Sequence, residues 1–194
     1  MIFDLDGTIT RPYLDFDQVR SEMGLEKDAG PLLEAMERMS PQQRACAEEV
    51  LYRHEQAAIV NSSLNAGAAE TLDKLRNAGI HIGILTRNQR QSVTAVARMH
   101  NLRFDAIVDR NDGPAKPDAF GVKHLCEHFK VAPAQTLVVG DYLFDLLSAT
   151  AAGAIAVLIK TSPDCNRFAE YADYIIENLL EIFDIIYLKE TEVK

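Results

Sequence analysis

The stretch Phe3-Asp4-Leu5-Asp6-Gly7-Thr8 places two carboxylates two residues apart at the end of an apolar run. In an extended strand, side chains two residues apart project to the same side, so we expect Asp4 and Asp6 to face the same way. Gly7 allows the chain to turn directly after them. Two acids held close together repel each other and lose hydration, which costs free energy. A cation would offset that cost, and Mg²⁺, which prefers oxygen ligands, is the natural partner. The alternative is that both acids cap the strand and face solvent.

Short apolar runs that end in turn or polar residues recur along the rest of the chain. Their length and β-branched content are typical of buried strands. The runs are Met1 to Leu5, Ile80 to Leu85, Phe104 to Val108, Thr136 to Val139, Ala154 to Ile159 and Asp173 to Ile176. Helical patterns lie between them at Ala68 to Ala78, Gln91 to His100, Pro117 to Phe129 and Leu143 to Ala152. Gly79 and Gly153 follow two of these patterns, as expected at helix C-termini. This alternation predicts an α/β fold whose parallel sheet is covered on both faces.

The segment from about Asp15 to Ile59 breaks the alternation, because it contains helical stretches and no convincing strand. Ser40 and Gln43 form a capping-box pattern that predicts the start of a long helix. By pattern the segment contains about three helices, and we interpret it as a small second domain or lid. The predicted domains are a core at residues 1–13 and 62–194 and a helical insert at residues 14–61.

Four further polar residues lie directly after predicted strands, in the loops after them, or in the helix that follows the last of these strands. They are Thr86, Lys116, Asp141 and Asp145. The carboxyl ends of the strands form the ligand crevice of open α/β sheets, so we expect these residues to converge with the two acids of the first strand. Asp141 and Asp145 have the i, i+4 spacing that places two carboxylates on one helix face. Taken singly, Thr86 is also explained as a strand-end hydroxyl, Lys116 as a solvated cation and Asp141 as a helix cap.

Together, these stretches resemble the haloacid dehalogenase-like (HAD) superfamily of aspartate-nucleophile phosphotransferases. The matching stretches are Asp4-Leu5-Asp6-Gly7-Thr8, Ile84-Leu85-Thr86-Arg87-Asn88, Lys116-Pro117-Asp118, and Val139-Gly140-Asp141 with Asp145, followed by Ala151-Ala152-Gly153. They have the family's order and spacing across nearly the whole chain. The resemblance implies a Rossmann-like core with the first strand central, and a helical cap inserted between the first and second motifs.

The resemblance also implies a role for each matching residue. Asp4 is expected to be the nucleophile that takes the phosphoryl group, and Asp6 the general acid and base. Thr86, with backbone N–H groups near Arg87, is expected to bind the phosphoryl oxygens, while Lys116 neutralises charge on them and on Asp4.

The metal assignment comes from the same resemblance. Asp141 is expected to complete a Mg²⁺ site with Asp4 and the backbone carbonyl of Asp6. Asp145 is expected to orient that shell or to bind water.

Composition excludes several other classes of protein. The 194 residues carry 20 Lys and Arg against 29 Asp and Glu, a net charge of −9, which argues against a broad nucleic-acid footprint. Cys46, Cys126 and Cys165 are widely spaced, which argues against a disulfide scaffold or a zinc site and favours a reducing compartment. Ala151 to Ile159, the longest small and apolar run, is too short to cross a bilayer, and no signal-peptide pattern is present. We therefore expect a cytoplasmic protein without nucleic-acid or membrane partners.

The preferred interpretation is a Mg²⁺-dependent phosphatase, similar to the phosphoglycolate-phosphatase-like branch, that hydrolyses a small phosphorylated metabolite through an aspartyl phosphate. A phosphomutase would use the same residues and return the phosphoryl group to a sugar. A phospho-receiver signalling domain also gathers Asp, Thr and Lys around Mg²⁺, but its phosphorylated Asp lies at a later strand and it lacks the helical insert. The last alternative is a non-catalytic phosphate-binding protein on the same scaffold.

Overall fold

The computed structural model describes residues 1–192, with side chains up to residue 188. Its strands are β1 (Ile2–Phe3), β2 (Gly83–Leu85), β3 (Ala106–Val108), β4 (Leu137–Gly140), β5 (Ile155–Ile159) and β6 (Tyr174–Ile176). Within the described residues they form one sheet in the order β3-β2-β1-β4-β5-β6, and each neighbouring pair is parallel. Each strand overlaps a predicted apolar run, and the predicted α/β, Rossmann-like class is confirmed.

Helices connect these strands. The α-helices are α1 (Phe16–Glu22), α2 (Leu32–Glu37), α3 (Pro41–Val60), α4 (Ala68–Asn77), α5 (Arg90–Met99), α6 (Phe120–Phe129), α7 (Leu143–Ala152) and α8 (Ile182–Glu192), and 3-10 helices lie at Pro133–Gln135, Pro163–Tyr171 and Leu179–Glu181. α6 begins later than the predicted Pro117, since the Asp118 carboxylate accepts a hydrogen bond from the Phe120 N–H (2.7 Å) and forms a local turn there. No helix within residues 1–192 combines the length and the apolar composition needed to cross a membrane.

The central strand of the sheet is completely buried in the core. Both residues of β1, Ile2 and Phe3, are completely buried, as are Ile84 in β2 and Val139 in β4. Strands covered by helices on both faces need apolar side chains on both, so their sequences are continuous apolar runs rather than alternating ones. This burial anchors the chain at the point where β1 ends.

The chain divides into two compact units. The helical unit covers Tyr13–Ser62 and contains α1, α2 and α3, and the core unit covers Met1–Pro12 and the chain from Ser63 onward. α3 begins with the capping box that the sequence predicts, in which Ser40 and Gln43 bond each other's backbone N–H groups through their side chains. The helical unit has an apolar cluster of its own, formed by Val19, Leu32, Met36, Ala47, Val50 and Leu51. These contacts give the helical unit a small hydrophobic core of its own.

Candidate active site

Three of the candidate residues lie directly after neighbouring parallel strands. Asp4 follows β1, Thr86 follows β2 and Asp141 follows β4. The strand order changes direction at β1, which has β2 on one side and β4 on the other. At such a point the connections diverge to opposite faces and leave a crevice at the carboxyl ends of the strands. The sheet therefore brings residues from distant parts of the chain to one edge.

The chain turns immediately after Asp4. β1 ends at Phe3, and the Leu5 carbonyl accepts hydrogen bonds of 2.9 to 3.3 Å from the backbone N–H groups of residues 8–10. The predicted extended strand therefore does not reach Asp4 or Asp6, because β1 ends at Phe3. A tight turn, rather than strand geometry, determines where the second acid lies.

The Lys116 ammonium joins two of the candidate acids. Its Nζ lies 2.6 Å from Oδ1 of Asp4 and 2.5 Å from Oδ1 of Asp145. Burial alone would lower the pKa of Lys116, but the carboxylates of Asp145 and Asp4 raise it above its ordinary value, so the side chain stays charged. Burial also raises the pKa of Asp4, against the attraction of Lys116. The lysine is 4% exposed, and water therefore screens these bonds little.

Asp141 contacts the turn after β1 and does not belong to the helix that follows it. Its Oδ1 accepts a hydrogen bond from the Thr8 hydroxyl at 3.1 Å. α7 begins only at Leu143, so the prediction that Asp141 and Asp145 share one helix face is wrong. Asp145 lies in the first turn of α7, where its Oδ2 accepts from the Tyr142 N–H at 3.1 Å. The end of β4, and not helical spacing, places the two acids near each other.

Two glycines let these carboxylates approach the backbone closely. Gly7 has φ 92°, and a Cβ there would collide with the Asp141 carboxylate. A Cβ on Gly140 would collide with the Asp145 side chain. Burial, followed by the charge of Asp145, raises the pKa of Asp141 to about 7. The acids are thus crowded together at a place where added positive charge is favourable.

Asp6 is hydrogen-bonded to the loop after β2. Its Oδ2 accepts from Nδ2 of Asn88 at 3.1 Å, and the backbone N–H of Asn88 donates to Oγ1 of Thr86 at 3.0 Å. Burial raises the pKa of Asp6, against the hydrogen bond from Asn88. A carboxyl group with a raised pKa suits proton transfer. The Thr86 hydroxyl accepts in its bond with Asn88, so its hydrogen can serve another oxygen.

The Arg87 side chain makes contacts within the protein. Its Nη1 donates a hydrogen bond to the carbonyl oxygen of Lys116, and its guanidinium carbon lies 4.8 Å from the centroid of the Phe144 ring. The sequence predicts phosphate binding by backbone N–H groups near Arg87. In the structure the Arg87 side chain also connects the loop that carries Lys116 to Phe144 of α7.

The acidic cluster offers oxygen ligands to a divalent cation. Carboxylate oxygens of Asp4, Asp141 and Asp145 lie within 4.8 Å of one another. When all three carboxyl groups are ionised, their negative charge exceeds the single positive charge of Lys116. Mg²⁺ prefers a set of ligands that are all oxygen atoms, as these are. The residues present therefore fit the ion. Asp145 already accepts hydrogen bonds at both oxygens, which fits its predicted role in orienting the site.

Three polar residues outside the predicted set of site residues make contacts in the site. Thr8 donates to Asp141, Asn88 donates to Asp6, and Asn65 donates to the turn of residues 7–10. Thr8 and Asn88 lie inside the stretches that match the family, and that position was a signal for a role. Asn65 lies 55 to 58 positions from its partners and outside every motif, so no sequence signal marked it.

The crevice, the acidic cluster and the buried lysine define an enzyme of the Rossmann-like α/β class. Residues 13–159 match the sequence profile of the family described as haloacid dehalogenase-like hydrolase. The chain belongs to this family, as its motifs predict. The matched range, residues 13–159, includes Thr86, Lys116 and Asp141, while Asp4 to Thr8 lie before it.

Individual relatives carry the names of hydrolases and phosphatases. The chain is 28% identical over 196 residues to an uncharacterised hydrolase of Saccharomyces cerevisiae, covering 96% of this chain and 89% of that protein. It is 29% identical over 139 residues to the phosphoglycolate phosphatase of Nitrosospira multiformis, covering 70% of this chain and 58% of that one. The crystal structure of a hydrolase from Pseudomonas syringae matches with a TM-score of 0.81 over 97% of both chains, at 20% identity. That last likeness concerns the fold alone.

Proposed function

We propose that this chain is a Mg²⁺-dependent phosphatase that hydrolyses a small phosphorylated metabolite through an aspartyl-phosphate intermediate. The observation that carries the proposal is the Lys116 ammonium, buried between the carboxylates of Asp4 and Asp145. Phosphoryl transfer depends mainly on positioning and on positive charge near the transferred group. A nucleophilic carboxylate held by a buried cation meets both requirements. The family and the phosphatase among its relatives support this reaction class.

Asp4 acts as the nucleophile in the first step. Lys116 holds Oδ1 of Asp4, and we assign the other oxygen, Oδ2, to attack phosphorus and form an acyl phosphate while the ester P–O bond breaks. Asp6, whose pKa is raised by burial, donates its proton to the departing oxygen, so the alcohol leaves neutral. The Thr86 hydroxyl and the backbone N–H groups near Arg87 donate hydrogen bonds to the phosphoryl oxygens.

Asp6 acts as a base in the second step. Its carboxylate takes a proton from water, whose oxygen attacks the phosphorus of the aspartyl phosphate. The bond between phosphorus and the Asp4 oxygen breaks, which releases inorganic phosphate and restores the Asp4 carboxylate. Asp6 is then protonated for the next cycle. Asp4, Asp141 and the Asp6 carbonyl would hold Mg²⁺, with Asp145 orienting these ligands, and the ion would supply positive charge that stabilises the phosphoryl group.

The helical insert, residues 14–61, is assigned the role of a cap, as the family resemblance implies. The preference for a small substrate follows from the same resemblance, and the phosphoglycolate phosphatase among the relatives supports it. A cytoplasmic location and the lack of a nucleic-acid partner stay predictions of the sequence.

Hydrolysis of p-nitrophenyl phosphate by the full chain tests the proposal. We expect steady release of phosphate with Mg²⁺, loss of activity on adding EDTA, and recovery when Mg²⁺ is restored. A panel of phosphorylated metabolites then identifies the preferred ester. If no ester in the panel is hydrolysed, the proposed phosphatase activity is wrong. If EDTA does not change the rate, the proposed dependence on Mg²⁺ is wrong. Return of the phosphoryl group to a sugar phosphate, in place of free phosphate, would indicate a phosphomutase.

A further inference from the structure

The side chain of Asn65 is hydrogen-bonded to three backbone carbonyls of the turn after the first motif. Its Nδ2 lies 2.9 Å from the carbonyl oxygen of Gly7, 2.8 Å from that of Thr8 and 3.1 Å from that of Thr10. The backbone N–H of Asn65 donates to the carbonyl of Ile9 at 3.0 Å. The carbonyls of four successive residues therefore converge on one asparagine.

An amide nitrogen suits this place because carbonyl oxygens only accept hydrogen bonds. The uncharged amide supplies two N–H hydrogens, at least one of which is shared between two of the three carbonyls. A carboxylate of nearly the same shape would supply no donor and would bring negative charge beside three carbonyl oxygens. Substitution of Asn65 by Asp therefore removes the contacts with little change in side-chain size.

The turn that Asn65 holds connects directly to groups of the candidate active site. Asp6 immediately precedes the turn, and the Thr8 hydroxyl within it donates to Oδ1 of Asp141 at 3.1 Å. Gly7 packs so closely against the Asp141 carboxylate that a Cβ would not fit. A shift of this turn would displace Asp6 and Thr8 together.

Asn65 also lies where the chain has just returned from the helical unit. Thr10 forms an antiparallel bridge with Leu64, and the Arg11 N–H donates to the Ser63 carbonyl at 2.8 Å. The outgoing and returning segments are thus bonded to each other inside the core unit. Asn65 follows them directly and connects them to the turn.

We propose that Asn65 is a positioning residue for phosphoryl transfer, which fixes the turn of residues 7–10 and so holds Asp6 and Thr8 in place. Through Asn65, this turn is also connected to the segments of the core unit that lead into and out of the helical unit. The kinetic part of the inference rests on the proposed function. The ordering of the turn does not depend on activity, and it is tested separately.

Asn65→Asp in the full chain tests the inference, with Asn61→Asp as the matched control. Asn61 also donates from its side-chain Nδ2 to a backbone carbonyl, that of Ala57 at 2.8 Å, but at the end of α3. With p-nitrophenyl phosphate and Mg²⁺, we expect kcat of Asn65→Asp to fall about 100-fold with little change in KM, because misplaced catalytic groups act on the transition state. Asn61→Asp is expected to keep the wild-type kcat.

Hydrogen exchange separates the ordering of the turn from the chemistry. The N–H groups of residues 8–10 donate to the Leu5 carbonyl, and we expect them to exchange faster in Asn65→Asp while those of β4 and α7 stay protected. If Asn65→Asp does not fold, Asn65→Ser, which keeps one donor, replaces it. Its kcat is also expected to fall.

An unchanged kcat in a folded Asn65 variant, or exchange in the turn as slow as in the wild type, would overturn the assignment. A lowered melting temperature with unchanged kcat would also overturn it, since it would mean a structural role only. If the wild-type chain hydrolyses no ester, the proposed function fails, and the exchange measurement still decides whether Asn65 orders the turn.

Discussion

Oδ1 of Asp4 and Nζ of Lys116 lie 2.6 Å apart, although 112 positions separate the two residues in the chain. β1 places Asp4 at the centre of the sheet, and the loop between β3 and α6 carries Lys116 to it. Both side chains are largely excluded from water, so the loss of either leaves a buried charge without its partner. Asp4, the proposed nucleophile, and the cation beside it therefore depend on each other.

Asp4→Asn is expected to abolish hydrolysis of p-nitrophenyl phosphate while the protein stays folded. An amide cannot form the acyl phosphate, and Lys116 keeps its bond to Asp145. Steady-state rates and circular dichroism measure the two effects. Asp164→Asn, the same change at an exposed position, is the control and keeps the wild-type rate. Retained turnover in Asp4→Asn would refute Asp4 as the nucleophile.

Lys116→Met is expected to lower the free energy of unfolding of the metal-free protein by about 3 to 5 kcal/mol, because two buried carboxylates lose their cation. Urea titration measures the loss, and added Mg²⁺ is expected to recover part of it. Lys123→Met, on the exposed side of α6, should stay within about 0.5 kcal/mol of the wild type. A loss no larger than that of an exposed ion pair, up to about 1 kcal/mol, would mean that Lys116 does not support the acids as described.

Stabilisation by Mg²⁺ is expected to grow as the pH rises. Burial raises the pKa of Asp141 from 3.8 to about 7 in the folded protein. This carboxyl group therefore makes its full contribution to the stability of the folded state only at pH values below 3.8, its ordinary pKa. In the metal-free protein that contribution is lost as the pH rises through about 7. Mg²⁺ binds the ionised carboxylate, so it should raise the melting temperature more at about pH 8 than at about pH 5.5. Calorimetry with and without Mg²⁺ tests this, and an equal increase at both pH values is the contrary result.

Arg87→Ala is expected to reduce kcat about tenfold with little change in KM, because the side chain holds the Lys116 loop and so acts through Lys116. Direct binding of the substrate phosphate by the guanidinium would raise KM instead. Arg167→Ala is the control, since Arg167 makes a similar contact, 4.7 Å from the Phe168 ring centroid. Its kinetics should match the wild type, and a large rise in KM for Arg87→Ala would favour a phosphate-binding role.

Gly7→Ala is expected to lower both stability and activity more than Gly24→Ala does. Both glycines have positive φ, 92° and 71°, so each alanine carries a conformational cost of about 1 to 2 kcal/mol. Only the Cβ at Gly7 would also collide with the Asp141 carboxylate, whereas nothing lies within 4 Å of a Cβ at Gly24. Urea titration and hydrolysis rates compare the two variants. Similar losses in both would mean that the turn can move away from Asp141.

Local patterns predicted much of the fold. The apolar runs located all six strands of the described part of the chain, since strands buried on both faces of a sheet consist mainly of apolar residues. The bounds of α7, Leu143–Ala152, agree with the prediction because Gly153 ends the helix in the left-handed region with φ 76°. The ends of β1 and α6 differ from prediction, since hydrogen bonds of the turn at Leu5 and of the Asp118 side chain determine where those elements stop and start.

The sequence by itself determined the α/β class, the presence of a helical insert and membership of the family. Periodicity is a property of near neighbours, and the order of the motifs can be read along the chain without knowing how it folds. Only the tertiary structure decided that Lys116 lies between Asp4 and Asp145, that Arg87 lies over Phe144, and that the carbonyls of residues 7–10 converge on Asn65. Such contacts depend on strand register and on the path of each turn. Those are set by packing across the whole core, which the spacing of residues along the chain does not encode.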